Sequence, residues 1–110
     1  MDAIDRAIGM VLDAAELYAK ARAAEMELED NRPAHKQVAI LRIIKSGPNP
    51  LTGKPHSASS AEAVVETDAG YAAYRKLQRE AVITAITAGG NYEAAKFRAR
   101  FLTATAEVTA

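Results

Sequence analysis

Cysteine and tryptophan are both missing from this chain. Without cysteine there is no disulfide, no thiolate metal site and no thiol nucleophile. Aromatic residues make up only 5% of the sequence, while the apolar 49% is rich in alanine. That composition favours closely packed helices over a sheet. An excess of one charge is also lacking: 14 basic side chains balance 14 acidic ones. No global field therefore points to nucleic acid or to a membrane surface. No apolar run approaches the length of a membrane span. The N-terminal "MDAIDRAIGM" carries an acid at its second position and no basic segment ahead of an apolar one, so it does not read as a signal peptide. A cytoplasmic protein of one domain, residues 1–110, is the expectation.

What is present is periodicity. Ala3, Ala7, Met10, Ala14, Leu17, Ala21, Ala24 and Leu28 alternate spacings of four and three, a heptad seam along one helix face. A second stripe of Ile4, Ile8, Val11, Ala15 and Tyr18 runs beside it and gives way to Arg22, Glu25 and Glu29. Asp2 is placed to cap this helix. Pro33 interrupts the pattern, and inside a helix it costs about 3 kcal/mol. We expect a kink or short break there, with the direction continuing through Ala34, Gln37, Leu41 and Ile44; a strand at "VAILRII" competes. The first arm is thus residues 1–45, followed by a loop at 46–58 and returning helices at 59–110. Ser59 to Glu62 fit a capping box for a short helix, and Thr67 and Asp68 offer a cap for the next. That next helix carries a stripe of Tyr74, Leu77, Ala81, Ala85 and Ala88. Gly89 and Gly90 are expected to end it, with Asn91 capping a short C-terminal helix built on Ala94, Phe97, Phe101, Ala104 and Val108. The fold class is all-α: a long helix, a proline-rich loop, a returning helix and a short closing helix, as a helical hairpin or bundle.

The stretch "SGPNPLTGKPHS", residues 46–57, invites comparison with a phosphate-binding loop. Such a loop needs four residues between its glycines and a hydroxyl residue after the lysine. Five residues separate Gly47 from Gly53, and Pro55 follows Lys54. Pro48, Pro50 and Pro55 also remove three amides that would hold phosphates. The stretch reads as a stiffened connector, turning at "NP" and "TG".

Other chemistry is sparse. Glu25, Glu27, Glu29 and Asp30 cluster with no histidine at ligand spacing, and read as a solvated face. His35 lies on the extension of the first seam and His56 in the loop, and two histidines without cysteine do not make a zinc site. Ser57, Ser59 and Ser60 have no partnered base, and capping accounts for them. Tyr71 and Tyr74 could stack on bases but read more naturally as core residues with wet hydroxyls. No set of acid, base and nucleophile can be assembled, so no cofactor, metal or catalytic residue is expected. Between residues 33 and 60 there are four bases and no acid. With Arg32, the residues Lys36, Arg42, Lys45 and Lys54 form the basic centre that a nucleic-acid-binding module would use.

The order of these features resembles a group of small helical proteins encoded by tailed bacteriophages and prophages. The resemblance is carried by "AELYAKARAAEMELEDNR", "HKQVAILRI", "SSAEAVVETDAGYAAYRKLQREA" and "YEAAKFRAR". Within these, Leu28, Glu29 and Arg32, then Asp68 and Tyr71, then Glu93 and Arg98 match the group's pattern. It implies an accessory protein acting in the bacterial host cell, from the neighbourhood of replication and recombination genes, and supplies no catalytic residue. The leading expectation is a non-enzymatic interaction protein that self-associates, serving phage DNA metabolism or counter-defence. Its association seam would be Met10, Ala14, Leu17, Ala21, Ala24 and Leu28, forming a homodimer or higher oligomer. The runner-up is the nucleic-acid-binding module.

Overall fold

A computed structural model describes residues 2–109, with side chains described from Asp2 to Glu107. The chain is all-α, in the manner of a helical hairpin. Helix α1 spans Ala3–Ser46, α2 spans Ala58–Ala63, a single 3-10 turn covers Val65–Thr67, and α3 spans Ala69–Thr109. There is no strand among the described residues, and "VAILRII" is helical.

Each boundary has a local cause. Asp2 accepts the Asp5 N–H through Oδ1 at 2.7 Å, which caps α1. Past Ser46 the chain turns on two glycines with positive φ, Gly47 at 141° and Gly53 at 68°. Asn49 organises the loop. Its side chain accepts the Leu51 N–H, its carbonyl accepts those of Thr52 and Gly53, and its own N–H donates to the Lys54 carbonyl. The capping box that opens α2 is shifted from its expected position. Ser57 is the N-cap and Ser60 closes the box, so Ser59 to Glu62 lie inside the helix. Asp68 caps α3 as expected, accepting the Tyr71 N–H at 2.8 Å, whereas the Thr67 hydroxyl donates backwards to the Val64 carbonyl.

Two expected interruptions are absent. Pro33 lies within α1, which runs without a break from Ala3 to Ser46. Gly89 and Gly90 lie within α3, which does not end there, so among the described residues there is no separate C-terminal helix for Asn91 to cap. Neither glycine adopts positive φ. At Gly89 a Cβ would stand 3.2 Å from Cε1 of Tyr18, so the residue admits a close ring rather than ending a helix.

The chain divides into two compact units, one formed by Met1–Met26 with Ala81–Ala110, the other by Glu27–Glu80. In the first, α1 and α3 pack antiparallel through small residues. Ala7 and Ala85 are buried, flanked by half-buried Ile4, Val11, Ala14, Tyr18 and Ala21 on α1 and by Ala81, Ala88, Tyr92, Ala95, Ala99 and Leu102 on α3. Tyr18 and Tyr92 meet with ring centroids 6.0 Å apart. In the second unit the core is Ala39, Ile40, Ala61, Val65 and Tyr71, with Ile43 packed against it.

Candidate interaction surface

The α1 seam read from the sequence separates into two rows. Ala7, Ala14, Ala21 and Leu28 are buried or half-buried, while Ala3, Met10, Leu17 and Ala24 stand exposed. The inward face of α1 alternates Ile4, Ala7, Val11, Ala14, Tyr18, Ala21, Glu25 and Leu28, which takes one row from each of the two apolar stripes. On α3 a row of buried and half-buried positions, 71, 74, 78, 81, 85, 88, 92, 95, 99, 102 and 106, alternates three and four, with half-buried 72, 75, 89 and 96 beside it. The stripe expected through Leu77 is displaced there, since Leu77 is half exposed and Gln78 is buried. The expected closing seam is displaced as well: Ala94, Phe97, Phe101 and Ala104 are exposed, and the side chain of Val108 lies outside the described residues.

The consequence is a protein whose large apolar side chains are mostly outside. Leu17 is 63% exposed, Ile83 63%, Phe97 71% and Phe101 61%, with Met10 at 51%. In the first unit Met10, Leu17 and Ile83 border a groove beside the α1–α3 seam. One hollow of about 350 Å³ is lined by Leu17, Ala21, Ile83, Thr84, Thr87, Ala88 and Asn91. The next, also about 350 Å³, is lined by Met10, Ala14, Asn91, Ala94, Ala95 and Arg98. Asn91 borders both. Sequence periodicity found the α1 wall through Met10, Ala14, Leu17 and Ala21. It missed Ile83 and Thr87, which lie off the stripe expected through Ala81, Ala85 and Ala88, and it missed Asn91 because the two glycines were read as a helix end.

The second unit is held by polar contacts. Tyr74 donates its hydroxyl to the Leu28 carbonyl, and its ring stacks on His35 with centroids 3.9 Å apart. Burial pushes the Tyr74 hydroxyl above its ordinary pKa, assisted by the charge of Glu29. Gln78 donates to Glu29 and accepts from Arg75. The tyrosines are core residues, Tyr71 at 2% and Tyr74 at 9% exposure.

Of the basic centre, three residues carry carboxylates. Arg32 pairs with Glu29, and hydrogen bonding to Tyr71, then the Glu29 charge, raises its pKa. Lys36 donates to Glu62 at 2.7 Å and holds that carboxyl below its ordinary range. Arg42 grips Asp68 with two bonds, Nε to Oδ1 at 3.0 Å and Nη2 to Oδ2 at 2.7 Å. Those bonds, with the Tyr71 N–H, hold the Asp68 carboxyl down. Lys45 and Lys54 make no ion pair among the described residues. Lys54 closes the loop turn through its backbone, and α2 begins only at Ala58. His56 Nδ1 lies 2.9 Å from Ser60 Oγ, but that oxygen already serves the α2 cap. Among the described residues no three acids or histidines converge on a metal-sized site. Comparison with known protein families, with curated proteins and with solved structures finds no match.

Proposed function

We propose that the protein is a non-enzymatic interaction protein that self-associates through the apolar groove of its first unit. The observation behind this reading is the exposure of Met10, Leu17 and Ile83 around the groove of the first unit. Monomeric proteins rarely leave apolar patches of this extent uncovered. The setting in phage DNA metabolism or counter-defence is supported by the resemblance carried by the α1, α2 and α3 motifs.

Light scattering during size exclusion tests the reading. Wild-type protein should elute with more than one chain per particle at micromolar concentration. Leu17→Asp should shift it towards monomer while circular dichroism keeps its helical signal, because Leu17 projects away from the α1–α3 seam. A wild-type monomer at high micromolar concentration would remove the proposal. Nucleic-acid binding has less support, since Arg32, Lys36 and Arg42 are held by carboxylates. A labelled single strand at low salt should therefore show no shift, and a shift weakened by charge reversal at Lys45 and Lys54 would restore that alternative.

A further inference from the structure

We infer that residues 47–67, between α1 and the Asp68 cap of α3, form a strap latched by ion pairs, which opens as a unit while α1 and α3 stay joined. Self-association of the first unit is not required for it. In this stretch only Ala61 and Val65 are buried, and no residue from Gly47 to Ser60 is. Its backbone hydrogen bonds close on the segment and its Asp68 hinge, from the Asn49–Lys54 turn to the Asp68–Val65 turn. The strap thus has two apolar anchors, one of them an alanine, and burial stabilises in rough proportion to area.

Charge supplies the rest of the hold. The strap has two acids, and each pairs with a base on a different helix. Glu62 takes Lys36 of α1 at 2.7 Å, and Glu66 takes Arg75 of α3 at 3.9 Å. At the hinge, Asp68 takes Arg42 of α1. Gly70 leaves room for that guanidinium, since a Cβ there would stand 2.7 Å from Nη2. All three pairs reach solvent, and the carboxylates of Glu62 and Glu66 are exposed. Pairs of this kind are weak and are screened by salt. The latch therefore responds to ionic strength in a way that the apolar anchors do not.

The joint between α1 and α3 does not need the strap. Tyr74 reaches the Leu28 carbonyl, His35 stacks on its ring, and Gln78 reaches Glu29, all within those two helices. Lifting the strap leaves these contacts whole. Gly47, at a φ of 141°, provides the joint where the segment leaves α1. Opening uncovers Ala39 and Ile40, which share a core with Ala61 and Val65, and releases Lys36 from its carboxylate. The open state thus presents a basic and apolar face of α1 that the closed state hides.

Amide hydrogen exchange of the wild-type protein at two salt concentrations tests the latch. The amides of Ala61, Val64, Thr67 and Asp68 bond to carbonyls of the strap and report its opening, since so short a helix does not persist once detached. Raising sodium chloride from about 50 mM to about 1 M cuts the screening length to about 3 Å. Strap exchange should then quicken about five- to tenfold, the loss of three pairs of ordinary exposed strength. Amides of residues 74–78 should keep their rates. Lys36→Glu should quicken strap exchange at low salt, and adding Glu62→Lys should restore most of the protection with the pair reversed. Strap rates independent of salt would overturn the latch. Residues 74–78 quickening in step would show that the strap does not open alone, which also overturns it. A double reversal no better protected than Lys36→Glu would remove the Lys36–Glu62 pair as its catch.

Discussion

Asp68 performs two tasks with one carboxylate. It caps α3 through the Tyr71 N–H, takes both arms of the Arg42 guanidinium, and sits beside Gly70, where a Cβ would stand 2.7 Å from Arg42 Nη2. Asp68→Ala removes cap and ion pair together and should cost about 1–2 kcal/mol through the cap alone, read as a lower denaturant midpoint. Asp68→Asn keeps a capping oxygen and loses the charge, which separates the two contributions. The pH dependence follows from the direction of the shift. Asp68 and Glu62 are both held below their ordinary values. Their contributions are complete above the unfolded values near pH 4 and fade as pH falls through the lower folded values. In that window the unfolded chain binds more protons, so stability rises with pH. Thermal melts should be flat from pH 5 to 7 and fall below about pH 4, and Asp68→Asn should make the acid limb shallower. An acid limb unchanged in Asp68→Asn would show that Asp68 does not carry it.

Elements expose where reading by hydrophobicity succeeds and fails. The caps at Asp2 and Asp68, the loop and the helical class were legible because each depends on a few adjacent residues. The inward faces were less so. In the first unit two apolar stripes run side by side, and the packed face takes one row from each, so neither stripe alone describes it. In the second unit some inward positions are polar. Arg32, Lys36 and Gln78 point inward with partners on other elements, while Leu41 and Leu77 stand half exposed, an inversion that apolar counting cannot register. The glycine pair was misread for a further reason, since glycine marks both helix ends and close approaches. The two members should therefore respond differently. At Gly90 a Cβ meets nothing within 4 Å, so Gly90→Ala should stabilise α3 by about 0.5–1 kcal/mol. At Gly89 the ring of Tyr18 must give way, and Gly89→Ala should gain less or lose stability. Equal gains at both positions, measured by chemical denaturation, would remove the close-approach account. Pro33 belongs to the same scale. It leaves the Glu29 carbonyl without its usual helical donor, so Pro33→Ala should raise the melting temperature.

For the whole molecule the question is how so few large buried side chains hold two long helices. Ala39 and Ala61 are completely buried, and among the described residues no large side chain is. Alanine allows close helix approach but buries little area per residue, and burial stabilises in rough proportion to area. The second unit supplements its core with ion pairs and buried hydrogen bonds. The first unit has fewer such contacts and a wide apolar flank, so its stability should be the part coupled to association. Anything that binds only the folded state stabilises it by mass action, and a second copy does so with the logarithm of concentration. Hydrogen exchange at two protein concentrations separates the units. From low to high micromolar, amides in residues 10–21 and 83–101 should become more protected, by up to about 1.4 kcal/mol per mole of dimer for each tenfold step. Amides in residues 71–78 should change less, because Tyr74, Gln78 and the Arg42–Asp68 pair hold that unit within one chain. Protection independent of concentration in both units, below the point where scattering detects a dimer, would mean that the alanine seam is sufficient by itself. The exposed leucine, isoleucine and phenylalanines would then be available to a different partner.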